Sequence, residues 1–390
     1  MRYIFLGLIL IVTFSSCIVV KERTFNQGKY LDSHSNSVDI YENKNAGLFY
    51  PIMDLQPHEN VKGRITKLLL VEFKNDPDLY MIELQEVNDG SISGRIALIY
   101  KHKNTQVDVY YTPGLKLNLA GYTSLLNNVT LNENNFSSTF ENTDKGLFAS
   151  LNLTDRNNRK IELSIRENKK KMKSHGLLAP IGSGSKLPDK FPFIYLKGFT
   201  MIKQKGTGIT VKIDEKNRTI DKIPALVNFE KVYNAKYSFE NVMIEWNKNI
   251  NTILKPLDYR NKEALMSYQE NKYELIDNNG HPEIKSISKN IEENTVKIHF
   301  SPAIPDLLNL KNNSKIKGNF AIQIDSITGI TGGNYKIYNS NDTIHFDLFL
   351  QKGWQPMPGK LWLKSYNWKC DIIKTKPNIK IETNWKRINN

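Results

Sequence analysis

Cysteine is almost absent from this chain. Its 390 residues hold only Cys17 and Cys370, which excludes a thiolate metal cage and the disulfide framework on which small secreted domains depend. Histidine is scarce too, with seven residues. His34 and His58 fall in loop-like sequence, His102 and His175 stand beside lysines, and His281 precedes Pro282 in a turn-like stretch. None of these has a partner at metal-ligand spacing, so no metal site and no cofactor is expected. No apolar run reaches the ~20 residues of a membrane-spanning helix. Arginine-rich stripes and nucleic-acid-binding modules are also lacking, so the excess of 54 basic over 40 acidic residues does not point to a nucleic-acid partner. That excess is lysine-heavy and spread along the chain, with Lys169-Lys170-Lys171-Met172-Lys173 as its one dense cluster. Such a balance gives either a merely solvated surface or one attracted to anionic lipid or acidic polysaccharide.

What is present begins at the N-terminus. Arg2, the apolar run Ile4 to Val12 and the small pair Ser15-Ser16 have the layout of a secretion signal ending at Cys17. An uncleaved anchor and an ordinary cleaved signal are two readings of these residues. A third comes from Phe14-Ser15-Ser16-Cys17, which resembles the lipobox of bacterial lipoproteins. The resemblance implies that residues 1–16 are removed, that Cys17 is the lipidation site, and that 17–37 form a lipidated tether. It also implies a bacterial membrane as partner and a place in the cell envelope outside the cytoplasm. Each buried acyl methylene would contribute about 0.8 kcal/mol to that attachment. Cys370 then has no partner and reads as a small buried thiol at the end of a strand-like run.

From Val38 onward the dominant pattern is alternation with period two, the mark of half-buried strands. Ile82 and Leu84, then Ile96 and Leu98, then Ile161, Leu163 and Ile165 share faces within their runs. The same grammar returns in Val296-Lys-Ile-His-Phe300, in Ile344, Phe346 and Leu348, and near Ile379 and Ile381. Asn88-Asp89-Gly90, Asn278-Asn279-Gly280 and Gly332-Gly333-Asn334 supply turns. Asn261 to Gln269 alone reads as a helix, with Asn261 as its cap. The composition shift from the lysine cluster to Gly182-Ser183-Gly184-Ser185 places a linker at 176–190. It separates an N-terminal β domain, 38–175, from a C-terminal one, 191–390. The expected fold is therefore mainly β, with two successive antiparallel barrel or sandwich domains. Lys186 follows the glycines as in a phosphate-binding loop, but Leu187-Pro188 cannot open the helix that such a loop requires.

The stretch Asp78 to Tyr100, an aromatic-bearing strand, an acidic-glycine turn and a second strand ending in tyrosine, resembles the opening hairpin of lipocalin-like two-barrel proteins related to carotenoid 1,2-hydratases. Phe191-Pro-Phe-Ile-Tyr-Leu-Lys-Gly198 would lead into the second barrel. The resemblance implies an architecture and a bound lipid-like ligand. The Asp-His-rich segment of a hydratase site is missing, so no activity is carried over.

Two groups of residues are the candidates for chemistry. His345 and Asp347 project from one face of a strand and His299 from the polar face of another, so a barrel interior would bring the three together as a binding or acid-base site. Outward-facing, they are simply solvated. Trp362, Lys364, Tyr366 and Trp368 alternate onto one side of a later strand, where they either stack on a sugar or lipid or fill a core. The reading is a lipid-anchored envelope protein with a non-catalytic binding role toward an apolar small molecule. A glycan binder using the C-terminal aromatics is the alternative, and a hydratase- or isomerase-like enzyme the third.

Overall fold

The alternation in residues 79–101 becomes an antiparallel hairpin. Leu79–Asn88 buries Ile82 and Leu84, and Ser93–Lys101 pairs with it in the register Ile82↔Ile99 and Leu84↔Ala97. Apolar members of both strands thus share one side, as strand geometry requires. The computed structural model describes residues 33–388 apart from 43–46, 59–63, 74, 89–92, 102–105, 119–121, 123–125, 127, 170–171, 181–187, 325–330, 353–365 and 375–377. The signal, Cys17, Trp362 and Lys364 lie outside the described residues. Within them the protein is mainly β, and no helix is long and apolar enough to cross a membrane.

Two of the sheets face each other. The first runs in the order Leu55–Pro57, Glu240–Trp246, Phe191–Lys203, Glu230–Ser238, Ile65–Glu72, Leu79–Asn88, Ser93–Lys101, Val107–Tyr111, Val129–Glu133, with His175–Pro180 and Lys222–Val227 paired to its sides. The second, five-stranded, is Lys216–Asn217, Thr207–Ile213, Lys160–Glu167, Gly146–Thr154, Ser137–Thr143. Leu147, Leu151, Ile161 and Ile165 of the second share a buried core with Leu69, Ile82, Leu84 and Ile99 of the first.

Residues 251–387 build a ten-stranded antiparallel sheet in the order Asn251–Ile253, Ile379–Arg387, Tyr366–Lys374, Thr343–Lys352, Thr331–Ser340, Lys315–Ile324, Asn294–Ile304, His281–Ile291, Asn271–Asn278, Leu265–Tyr268. Laid flat, ten strands would span about 45 Å. Their inward side chains, from Tyr273 through Phe300, Phe320 and Phe346 to Trp385, instead join a single cluster, because the sheet curls into a half-barrel. Trp246 and Phe191 of the first sheet and Phe49, Ile52 and Leu55 of the N-terminal segment fill its hollow. Rings of Trp246 and Trp385 lie 5.8 Å apart, and those of Phe191 and Trp385 5.1 Å. Each such side chain contributes about 1.5–3 kcal/mol on burial.

Four sequence expectations are corrected here. Residues 261–269 are not a helix: Leu265–Tyr268 is a strand paired with Asn271–Asn278, and Gln269 and Glu270 turn between them with positive φ. The segment is too short to stabilise an isolated helix, and pairing Met266 with buried Tyr273 wins. Gly332 and Gly333 do not turn. They lie inside Thr331–Ser340, where a Cβ on Gly333 would collide with the Phe349 carbonyl oxygen of the neighbouring strand, so the position needs glycine for close approach rather than for a turn. Residues 176–180 are not linker but part of His175–Pro180, paired with Phe191–Lys203. Nor does the boundary divide the sheets, since Glu230–Ser238 pairs with Ile65–Glu72; the passage into the ten-stranded sheet comes instead after Glu240–Trp246.

Candidate functional site

The N-terminal segment and the half-barrel meet at a polar cluster beside an apolar cleft. Asn278, Asn279 and Gly280 form the expected turn, with positive φ at the last two, and this sets His281 and Glu283 at the start of His281–Ile291. Both side chains are buried. His281 Nδ1 lies 2.8 Å from Asp306 Oδ2, and Asn309 Nδ2 donates to the same oxygen at 2.6 Å. The Tyr41 ring stacks on the imidazole, 3.9 Å between centroids and 11° between planes. Tyr41 Oη donates to Glu283 Oε1 at 2.5 Å, and Asn278 Nδ2 donates to that oxygen at 2.9 Å. The backbone N–H of Asn36 reaches Glu283 Oε2 at 2.9 Å. Burial, and then the charge of Glu283, keep the Tyr41 phenol protonated far beyond its ordinary range.

This network is satisfied from within, as buried carboxylates must be. Next to it Phe49, Tyr50, Ile52, Ile284 and Leu308 line a narrow cleft that opens to solvent and encloses only about 20 Å³, with Asp306 as its acidic wall. Burial first and the Asp306 charge second raise the Tyr50 phenol. The cleft can take a small apolar group. A carboxylate in its wall disfavours an anionic one.

The residues singled out by sequence fall elsewhere. His345 is half-exposed, with Nδ1 2.6 Å from Asp371 Oδ1 and its ring stacked on Tyr338. Asp347 lies in register between Lys336 and Lys369, and burial, outweighing Lys369, raises its carboxyl. His299 is buried, with Nε2 3.0 Å from Gln323 Oε1; burial, then the Lys297 charge, push it down to about 4. The strands of His299 and His345 are three steps apart in the sheet, about 14 Å. They do not converge into an acid-base site. Tyr366 and Trp368 point into the core and offer no face to a sugar. Among the described residues no three His, Cys, Asp or Glu side chains group to hold a metal.

Sequence reasoning missed His281, and it missed His58. The second is not a free loop residue: its Nδ1 lies 2.5 Å from Glu245 Oε1, whose other oxygen takes Lys190 Nζ at 2.6 Å. Burial works against the Glu245 carboxylate, but His58 and Lys190 together lower its pKa. Only the order His-Pro-Glu, a polar pair flanking a proline beside a strong turn, hinted at the cluster around His281. The members of that cluster lie up to 265 residues apart in sequence, as between Tyr41 and Asp306. No protein-family model, curated protein or solved structure matches this chain.

Proposed function

We propose that this chain is a membrane-anchored bacterial lipoprotein whose body binds a lipid-like or other neutral apolar ligand without transforming it. Cys17 after Ser15-Ser16 supports the anchor. The apolar cleft at Tyr50, Ile284 and Leu308, with its acidic wall, carries the binding role. The cleft encloses only about 20 Å³, far less than a site that swallows a whole ligand, so it would grip the tip of an acyl chain or the edge of a ring whose remainder lies along the surface. The likeness of Asp78 to Tyr100 and of Phe191 to Gly198 to lipocalin-like proteins supports the same ligand class.

The binding role is tested with N-phenyl-1-naphthylamine, a neutral apolar fluorophore that brightens on leaving water. Wild type should enhance its emission. Leu308→Glu, which sets a charge in the cleft, should weaken the enhancement about tenfold or more while circular dichroism stays unchanged. Equal enhancement by both would remove the cleft from the account. The anchor is tested separately: Cys17→Ala should move the processed protein from the membrane to the soluble fraction, and retention after washing would contradict lipidation.

A further inference from the structure

We propose that the turn Asn228-Phe229, together with the lysines around it, is the surface by which the folded body meets an anionic membrane. The inference rests on the membrane location proposed above, but not on the acyl chain.

The turn joins Lys222–Val227 to Glu230–Ser238, with Val227 paired to Glu230 across two residues. Both turn residues have positive φ, 49° and 65°. Two-residue turns of this hand want Asn first, which is met, and glycine second. Here the second residue is phenylalanine, at a backbone conformation that a bulky side chain adopts only at a cost. Among the described residues the other non-glycine positive-φ positions are polar or charged: Asn, Asp, Glu, Lys or Gln. Phe229 is also 73% exposed, the most of any large apolar side chain there. Among the described residues the ring belongs to no core cluster, so no packing there repays the strain. A surface outside the molecule would.

The charge around the tip says what surface. Met172, inside the lysine cluster picked out from sequence, is buried in a core with Val227 and Val232, which fixes exposed Lys173 beside the hairpin. Asn168 N–H donates to the Gly206 carbonyl at 2.8 Å, and the aliphatic stem of Lys169 lies over Gly206, so close that a Cβ there would meet it at 2.6 Å. From the same bend, Gln204 N–H donates to the Lys231 carbonyl at 2.9 Å. Lys169, Lys205 and Lys231 are all exposed. Against them Glu230 is engaged by Lys203 at 3.4 Å. An exposed ring at the end of a hairpin flanked by lysines matches the interface of an anionic bilayer, where apolar groups enter the headgroup layer and cations meet its charge.

The full-length chain carrying Cys17→Ala has Cys370 as its sole native thiol, and that thiol is buried. Phe229→Cys or Leu265→Cys, the latter 56% exposed on the other large sheet, then takes one environment-sensitive nitrobenzoxadiazole label. With vesicles of phosphatidylcholine and phosphatidylglycerol the label at 229 should shift to the blue and brighten, and high salt should reverse this; phosphatidylcholine alone should give no response. The label at 265 should stay in water. Adding Lys205→Gln or Lys231→Gln should lower the apparent affinity of the Phe229→Cys chain about fivefold for each lysine removed. An aqueous signal at 229 with anionic vesicles, an equal response at 265, or indifference to both lysines would overturn the proposal. Fractionation of the chain with Cys17 intact reports on membrane location itself, so the two failures are distinguishable.

Discussion

Tyr41 lies flat on His281, 3.9 Å away, and through that contact the N-terminal segment is clamped to the half-barrel. The stack supplies packing and the phenol supplies a donor to buried Glu283. Tyr41→Phe keeps the ring and deletes the donor, so it should cost about 1–3 kcal/mol, the penalty for under-serving a buried carboxylate. Tyr41→Ala should cost about 3–5 kcal/mol by also leaving a cavity. Urea unfolding of the two variants measures both. A phenylalanine variant as stable as wild type would show that the hydroxyl does not hold this junction.

Acid should weaken the protein through His299. Its imidazole titrates near 4 in the folded state, below the ordinary 6.5, because burial and Lys297 oppose its charge. Between these values the unfolded chain binds a proton that the folded chain refuses, so stability falls as pH drops from about 6.5 to about 4. The loss amounts to about 3 kcal/mol. His299→Gln should flatten that part of the stability profile, as read from unfolding midpoints at pH 7 and pH 4.5. An unchanged slope would assign the acid sensitivity to other groups.

Cys370 should be inert. It is fully buried, and burial first, then Asp371 and Asp347, raise its thiol above the usual range. Nucleophilic cysteines need the opposite environment. In a Cys17→Ala chain, Ellman's reagent should find no thiol until denaturant is added, then one. Rapid labelling of the folded protein would contradict the core placement.

The shared sheet makes a separate expectation. A protease site placed within 181–187 and cut should leave the two fragments together on size exclusion, because Glu230–Ser238 stays paired with Ile65–Glu72. Separation without denaturant would restore two independent domains.

Local structure was legible in this sequence and long-range pairing was not. The pairing of Leu79–Asn88 with Ser93–Lys101 follows from alternation, and the turn at Asn279-Gly280 from the demand for positive φ. Periodicity does not name a strand's partner. Nothing in Phe191–Lys203 tells that it bridges Glu240–Trp246 and Glu230–Ser238. The glycines at 332 and 333 read as a turn because turn formation and close approach of a neighbouring strand ask for the same missing side chain. At the site, the strand faces of His299 and His345 were visible, but their separation depends on strand order. The cluster around His281 depends on Tyr41 and Asp306, which only the fold brings near.

The central claim is that the cleft beside Asp306 holds an apolar ligand, and native mass spectrometry of the protein purified without added lipid tests it most directly. Wild type should carry a non-covalent adduct of small-lipid mass that organic solvent removes, and Leu308→Glu, folded by circular dichroism, should lose it. A bare wild-type mass, or an adduct kept equally by the variant, would contradict the account.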